Sequence, residues 1–515
     1  EIISNIKSRR DKLKNIAHRY YEKYAKTTYI LGTDKDDKFT IQRLNDKQTR
    51  VLVQRVKKEG KIKIYDLIFN IDETNEIQLY GLNGDDEFTI TGDVKKGILI
   101  RLIGGQNHDT YTDKSSVSGW SKKTKIYDFA SKKNTIISSK ETADLRSNNY
   151  YKNTYNKNDI DNNQTIVRTV FGANPDDGFF IGPKVTYTQF GFKKKPFASQ
   201  HNIAANYYTN TNGFDIEYGG EFTEFLGKWS LHIRAKATSD NYAINFFGWG
   251  NDSQFLMPSG NTNDDLDFYR VKRSELSFSP SLLRRFRGGS ILKLTTLIEG
   301  ISIENTPVRN ITNTSGNNTN LFKTNYFLGS EINFNHNRTN NASFPTKGMN
   351  FDISLGAKAL TNNFDNRFGY LKSSLAIYQN LSSNRSIVFA SEVGTQINIG
   401  NRFEFYQAAT LGGGSSLRGY NRQRFTGKES FYHSSDIRTR LGQFKLGIPM
   451  KFGASAGFDY GKVWTPLAVN SNNWHTSYGG SIWFSGLDLF SANISYFKGD
   501  LTNEDRLAFG IGFAF

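Results

Sequence analysis

From Gln164 onward, apolar and polar positions alternate in runs separated by turn residues. Period two marks a β-strand, whose successive side chains point to opposite faces. Runs begin near 165, 178, 200, 214, 228, 268, 289, 324, 348, 368, 385, 431, 451, 475, 489 and 506, sixteen in all. Within Lys451 to Trp464, Phe452, Ala454, Ala456, Phe458, Tyr460 and Trp464 share one face, while Gly453, Ser455, Gly457, Asp459 and Gly461 share the other. The preceding run groups Asp436, Arg438 and Arg440; the following one groups Ser477, Gly479, Ser481 and Trp483. A large apolar face outside and a small polar face inside invert the pattern of a soluble sandwich and fit a membrane barrel. Long polar connections, such as Asn251 to Asp267 and Thr306 to Lys323, alternate with short turns, as external loops alternate with periplasmic turns. The fold class expected over 165–515 is therefore an all-β membrane protein, a sixteen-stranded antiparallel transmembrane β-barrel.

The last run sharpens this. Leu507, Phe509, Ile511, Phe513 and Phe515 face one way; Ala508, Gly510, Gly512 and Ala514 face the other. An apolar edge strand at the end of a soluble chain would invite aggregation, whereas on a barrel the same residues face lipid.

Upstream the pattern changes. Residues 1–26 carry a loose helical stripe (Ile2, Ile3, Ile6, Leu13, Ile16, Ala17, Tyr20) among Lys and Arg, without an N-cap before it, and read as a linker helix. Residues 27–140 are β-rich with a weak repeat: Gly32 to Phe39, Gly81 to Phe88 and Gly104 to Tyr111 each run from a glycine turn to an Asp and then an aromatic two residues on. The acids Asp37, Asp86 and Asp109 lie 49 and 23 residues apart, which suggests stacked coils of roughly 24 residues, a small solenoid-like domain. On that spacing one coil, near Lys61 to Phe69, has lost its turn motif. Degenerate GGxGxDxUx turns make calcium the candidate cofactor, with Asp37, Asp86 and Asp109 as ligands. Calcium needs six to eight oxygens, and the tandem nine-residue spacing that supplies them is absent, so turn formation is the competing role. Residues 141–164, rich in Asn, Lys, Asp and Tyr, read as a polar linker.

Composition narrows the class. There is no Cys, hence no disulfide or thiolate site. No apolar run reaches the roughly 18 residues of a membrane helix. No secretory signal precedes Glu1, so a mature product or a fragment of a longer chain is expected. The net charge of +17 is not gathered into a nucleic-acid motif. It fits a basic lumen, or contact with outer-membrane lipid and lipopolysaccharide phosphates. Asn107-His108-Asp109 mimics part of a two-metal phosphatase site, but 7 His and no partner motif leave it without further ligands, and no catalytic site is expected in this chain.

The stretch Leu411-Gly-Gly-Gly-Ser-Ser-Leu417-Arg418-Gly419-Tyr420 lies between the eleventh and twelfth runs. It resembles the (V/L)RG(F/Y) loop of the Omp85 superfamily, the barrels of BamA, TamA and two-partner secretion. The resemblance implies a loop folded into the lumen, with Arg418 pairing Asp436 on strand 12 and Asp459 on strand 13, and Trp483 as the aromatic of strand 14. The superfamily's strand-13 pattern, Phe-x-Asp-x-Gly, is met at Asp459 and Gly461 but has Gly457 where Phe would point inward. The ending in Phe515 resembles the C-terminal sorting signal of such barrels (Phe509, Ile511, Phe513, Phe515), read by the barrel-assembly machinery. The implied location is the bacterial outer membrane.

The block from Ser8-Arg-Arg-Asp-Lys-Leu13 through Gly104-Gly105 resembles the segment that joins a calcineurin-like metallophosphoesterase to an Omp85 barrel in long fusion proteins. That implies a phosphoesterase domain upstream of Glu1, with this barrel as its anchor and translocation pore. An insertase of the BamA/TamA type, assembling or exporting other polypeptides, is the alternative. No βααββ repeat of the POTRA kind precedes the barrel. A passive porin would need a lumen clear of residues 401–430. The expected seam between strand 1, near Thr165 to Phe171, and strand 16 is weak, since Gly510 and Gly512 loosen the latter.

Overall fold

A computed structural model describes residues 2–159, 162–256, 262–314, 320–342, 344–384, 386–400, 402–414, 416–466, 471–486 and 490–511. The chain divides into two compact units, Glu1–Asp161 and Asn162–Phe515.

The first unit opens with a helix, Ile2–Ala25. Two facing sheets follow. One holds Thr27–Leu31, Glu76–Leu82, Leu99–Gly105, Thr124–Tyr127 and Thr142–Asp144; the other holds Asp37–Arg43, Glu87–Val94, Thr110–Val117 and Thr135–Ile137. Successive coils stack in parallel, so equivalent positions meet: Lys38 pairs with Glu87, and Glu87 with Thr110. Equivalent rings therefore pile up, Phe39 on Phe88 at 4.5 Å and Phe88 on Tyr111 at 5.1 Å, inside a core completed by Ile41, Ile77, Leu79, Ile90 and Leu102.

Two expectations are corrected. The double spacing between Asp37 and Asp86 is not a lost coil. An antiparallel hairpin, Gln48–Lys57 and Gly60–Asn70, is inserted there and extends the edge of the second sheet. Residues 141–164 are not only a linker, because Thr142–Asp144 adds a strand and Tyr150–Asn153 a helical turn to this unit.

The second unit is the expected closed barrel of sixteen antiparallel strands. Strands 1 to 8 are Gln164–Asn174, Gly178–Gln189, Ser199–Tyr208, Gly213–Leu226, Trp229–Thr238, Arg270–Arg285, Ser290–Ile303 and Asn325–Asn337. Strands 9 to 16 are Gly348–Leu360, Asn363–Asn380, Ile387–Ile399, Glu429–Leu446, Ile448–Trp464, His475–Gly486, Phe490–Gly499 and Asp505–Ile511. Ile437, Phe458, Tyr478, Ile482, Ile494, Tyr496 and Leu507 form an exposed apolar surface across strands 12 to 16, the lipid-facing half of the alternation. No helix among the described residues is long and apolar enough to cross a membrane; the crossing is by strands. Phe513 and Phe515 lie outside the described residues, as does the side chain of Ile511; Phe509 is half-buried at the seam.

Strand 16 is described as far as Ile511, so only part of the seam is. In the described part of the seam Ala173 pairs with Phe509. Phe171 adds a ring stacked on Phe509 at 5.8 Å. The first six residues of strand 1 are exposed on both faces.

Candidate functional site

Residues 405–428 leave the rim between strands 11 and 12 and return into the barrel. A turn, Phe405–Gln407, leads to a two-stranded ribbon, Ala409–Leu411 with Phe425–Gly427. Gly412 and Gly413 take positive φ at its tip, where a Cβ on Gly412 would fall 2.3 Å from the Asn421 carbonyl oxygen. The ribbon is held by a small core of Leu411, Leu417, Tyr420, Phe425 and Val463.

Arg418 is thereby delivered to the inner faces of strands 12 and 13. Its Nη1 donates to Asp436 Oδ1 at 2.7 Å. Its Nη2 donates to Asp459 Oδ1 at 2.6 Å and its Nε to the same carboxylate at 3.0 Å. Its backbone N–H donates to Asp459 Oδ2 at 2.9 Å, and that oxygen also accepts from the Ser477 hydroxyl on strand 14 at 2.7 Å. Asp436 Oδ2 accepts from Arg438 Nη2 at 3.1 Å. Two cations and two anions thus balance, all nearly inaccessible to solvent (Arg418 8%, Asp436 4%, Asp459 and Arg438 0%). Buried charges persist only when paired and hydrogen-bonded, and the planar guanidinium meets that need with directed donors.

The missing inward Phe has a structural answer. A Cβ at Gly457 would lie 2.4 Å from Asp436 Oδ1 and 2.5 Å from Arg418 Nη2, so no side chain fits there. The ring comes instead from strand 15: Phe497, almost wholly buried, sits with its centroid 4.0 Å from the guanidinium carbon. Gly479, its ladder partner, clears the way, since a Cβ there would meet Phe497 Cγ at 2.8 Å. Sequence reasoning missed Phe497 because nothing local marks it; it sits 79 positions from the arginine.

The other motif residues take separate places. Gly419 lies against strand 15, where a Cβ would meet the Gly499 nitrogen at 2.6 Å. The Tyr420 ring covers Gly499 and its hydroxyl bonds Asp500. Gly461 faces Leu411, whose Cδ1 would be 3.0 Å from a Cβ. Trp483 is remote from the arginine: it donates to the Ala454 carbonyl at 3.2 Å and packs on Phe344 at 4.5 Å.

Further contacts that the sequence did not reveal tie the loops to one another and to the strand ends. Arg424 on the loop pairs with buried Glu504 in the last hairpin and donates to the Ser253 carbonyl at 2.8 Å. Asn251 bonds Val463 through both amide atoms. Phe246, Ile301, Ile311, Leu321 and Phe405 form an apolar cluster drawn from three loops and a strand end. A polar cavity remains on the inner side of strands 5 to 10, where Arg234, Lys236, Arg273, Lys358 and Lys372 outnumber Glu275, Glu299 and Glu331.

Asp37, Asp86 and Asp109 form a different arrangement in the first unit. The Asp37 N–H donates to Asp86 Oδ1 at 2.8 Å, the Asp86 N–H to Asp109 Oδ1 at 3.0 Å, and the Asp109 N–H to Asn134 Oδ1 at 2.9 Å. Asp86 Oδ2 is buried without a partner, pressed on Gly81. One oxygen of Asp86 and one of Asp109 accept a backbone N–H of the neighbouring coil, which fits a ladder joining coils; among the described residues no group of three or more His, Asp or Glu is placed to hold a metal. Burial pushes the Asp86 carboxyl up to about 8, and burial with the neighbouring Asp128 charge does the same to Asp109. An acid raised in the folded state contributes fully below its unfolded value near pH ~4, and the contribution is lost as pH rises towards ~8. Hydrogen exchange of residues 76–117, corrected for intrinsic rates, should therefore show protection falling from pH 5 to 8, by at most about 1.4 kcal/mol per pH unit for each acid. Asp86→Asn should flatten the slope; an unchanged slope would show that Asp86 does not take up its proton in this range.

A closed antiparallel barrel with an apolar outer face and a polar, plugged lumen defines an outer-membrane β-barrel protein. Residues 308–484 match the sequence family of haemolysin secretion/activation proteins ShlB/FhaC/HecB, a span that contains Arg418 and both of its acids. The matched span, about a third of the chain, resembles the Omp85 superfamily. No curated protein matches the chain. Among solved structures it resembles BamA from Haemophilus ducreyi lacking POTRA domains 1–3 (15% identity, 68% of this chain and 70% of that one, TM-score 0.48). It also resembles CdiB from Escherichia coli (12%, 67% and 62%, 0.44) and from Acinetobacter baumannii (12%, 68% and 59%, 0.40). The chain spans less than two thirds of either CdiB.

Proposed function

We propose that this barrel is the outer-membrane anchor and exit route for a polypeptide, and that the polypeptide is an upstream metallophosphoesterase domain of the same protein. The observation that carries the translocation role is the loop locked inside the lumen by Arg418. A plug held by discrete polar contacts is a device that can be released; a passive porin needs none. The haemolysin secretion family matched by residues 308–484 supports the same role. The fusion rests on the first unit, whose stacked parallel coils are unlike a POTRA repeat, together with the resemblance of residues 8–105 to the joining segment of such fusions. Lipopolysaccharide contact follows from the +17 charge.

The insertase alternative draws on the seam itself, since exposed strand 1 backbone can template a client strand. A reporter joined ahead of Glu1 separates the two. On the first reading the reporter stays with the outer membrane and is reached by external protease, and depleting the protein leaves other barrels at normal levels. Loss of other barrels on depletion, with the reporter never reached from outside, would replace this reading with the insertase.

A further inference from the structure

The turn between strands 1 and 2 holds an aspartate that joins more of the barrel than a turn requires. Asp176 is buried. Its Oδ2 accepts from Arg506 Nη2 on strand 16 at 3.0 Å. Its Oδ1 accepts from the Asn245 amide at 2.7 Å and from the backbone N–H of Arg422 on the luminal loop at 3.1 Å. Its carbonyl accepts from Arg270 Nη2 on strand 6 at 2.9 Å. The next residue, Asp177, pairs with the Arg422 side chain. A residue serving only its own hairpin would spend its acceptors there, as Asn174 does when it accepts from the Asp176 and Asp177 N–H groups at 3.0 and 3.1 Å.

We propose that Asp176 is the latch of the seam, the positioning residue through which the luminal loop holds strands 1 and 16 together. Ala173 pairs with Phe509 across this junction, and side chains beyond that pair also join the two strands. The Asp176–Arg506 ion pair spans the junction three residues beyond that pair, with both side chains nearly inaccessible to solvent (4% and 8%). An enclosed ion pair is screened little by salt and is sensitive to the loss of either member. The loop enters through Arg422: withdrawing it takes a donor from Asp176 Oδ1 and the cation from Asp177. The lock at Arg418 is four residues away on the same loop, so release of the lock frees the latch. Loop position and seam closure are one equilibrium, and a client that draws the loop out also unfastens the seam.

This inference deepens the proposed translocation role and rests on it for its purpose, though not for its geometry. The chain has no Cys, so paired cysteines at Ala173 and Phe509 report seam closure as disulfide yield under a fixed mild oxidant in lipid nanodiscs. Asp176→Asn and Arg506→Gln should each lower the yield about fivefold, and the double variant should fall no further because the two act as one pair. Arg506→Lys should keep most of the yield, and Arg418→Ala should lower it through the loop. A control pair at Ala376 and Glu392, ladder partners on strands 10 and 11, should stay constant. Unchanged seam yield in both Asp176→Asn and Arg506→Gln, or an equal fall at the control pair, would overturn the latch. Heat-modifiable migration checks that each variant is folded. The protein locked at 173 and 509 then tests the gate separately: if it still exports the reporter, lateral opening fails while the latch stands.

Discussion

Arg418→Ala is expected to free the luminal loop and cost the lock about 3–5 kcal/mol, the range for removing one member of a buried pair, while the barrel still forms. The loss falls unevenly. Asp436 keeps Arg438 at 3.1 Å, but Asp459 is left with the Ser477 hydroxyl and the loop N–H as partners and no cation. A fully buried carboxylate without a counter-charge must draw in water or a proton, and either route opens the packing around it. Asp459→Asn should do comparable damage by leaving two guanidiniums against one carboxylate. Arg418→Lys should recover little, since a point charge cannot face two carboxylates and an aromatic ring together. The strand ladder is untouched, so heat-modifiable migration should persist. Cysteines at Ser416 and Ser434, where the Ser434 hydroxyl donates to the Ser416 carbonyl at 2.8 Å, report loop position. Full cross-linking and full export by Arg418→Ala would mean that the loop is held by its small apolar core alone.

Gly457→Phe is expected to be as damaging, although it installs the residue that the superfamily pattern has at this position. The first carbon of any side chain there falls within 2.5 Å of both Asp436 Oδ1 and Arg418 Nη2. Those groups are backed by strands 12 to 14 and by the Phe497 ring, so they have nowhere to yield, and overpacking of this kind costs about 1–3 kcal/mol before any hydrogen bond is lost. Phe497→Ala should cost about 3–5 kcal/mol through the cavity and the lost cation–π contact. Combined with Gly457→Phe, it should cost less than the sum, because the guanidinium can then shift towards strand 15. The same Ser416–Ser434 cross-link and a denaturant series read both outcomes. Additive losses would show that the two rings do not compete for one arginine.

The barrel was legible because its signal is repetitive. Lipid outside and a polar lumen inside force period two on every strand, and sixteen such segments leave few other folds. The meeting of Arg418 with Asp436 and Asp459 was reachable from one motif plus the same alternation, which fixes the face each acid points to. What escaped needs tertiary information. Phe497 is an aromatic like its neighbours until the strand order places it two strands from Asp459. Asp176 is one turn acid in an Asp-Asp-Gly sequence, and its partners lie hundreds of residues away. The inserted hairpin was misread because its length equals about one coil, so the arithmetic of the repeat could not tell an insertion from a degenerate repeat. In the Asp37–Asp86–Asp109 series, regular spacing showed that the acids stack but not that a backbone N–H occupies one oxygen of each.

The two polar clusters also differ in how much chain each must close. Arg418 reaches Asp436 and Asp459 across 18 and 41 residues, whereas Asp176 reaches Arg506 across 330. Closure entropy grows with the logarithm of that separation, making the longer join dearer by roughly 2 kcal/mol than the 41-residue one. The shorter one is therefore the early contact as the barrel assembles, and the longer one the late contact. A chain ordered this way tucks its plug against strands 12 and 13 while its two ends are still apart. On the proposed latch, the last contact made in folding is also the first undone in opening, so assembly and gating run along one path in opposite directions.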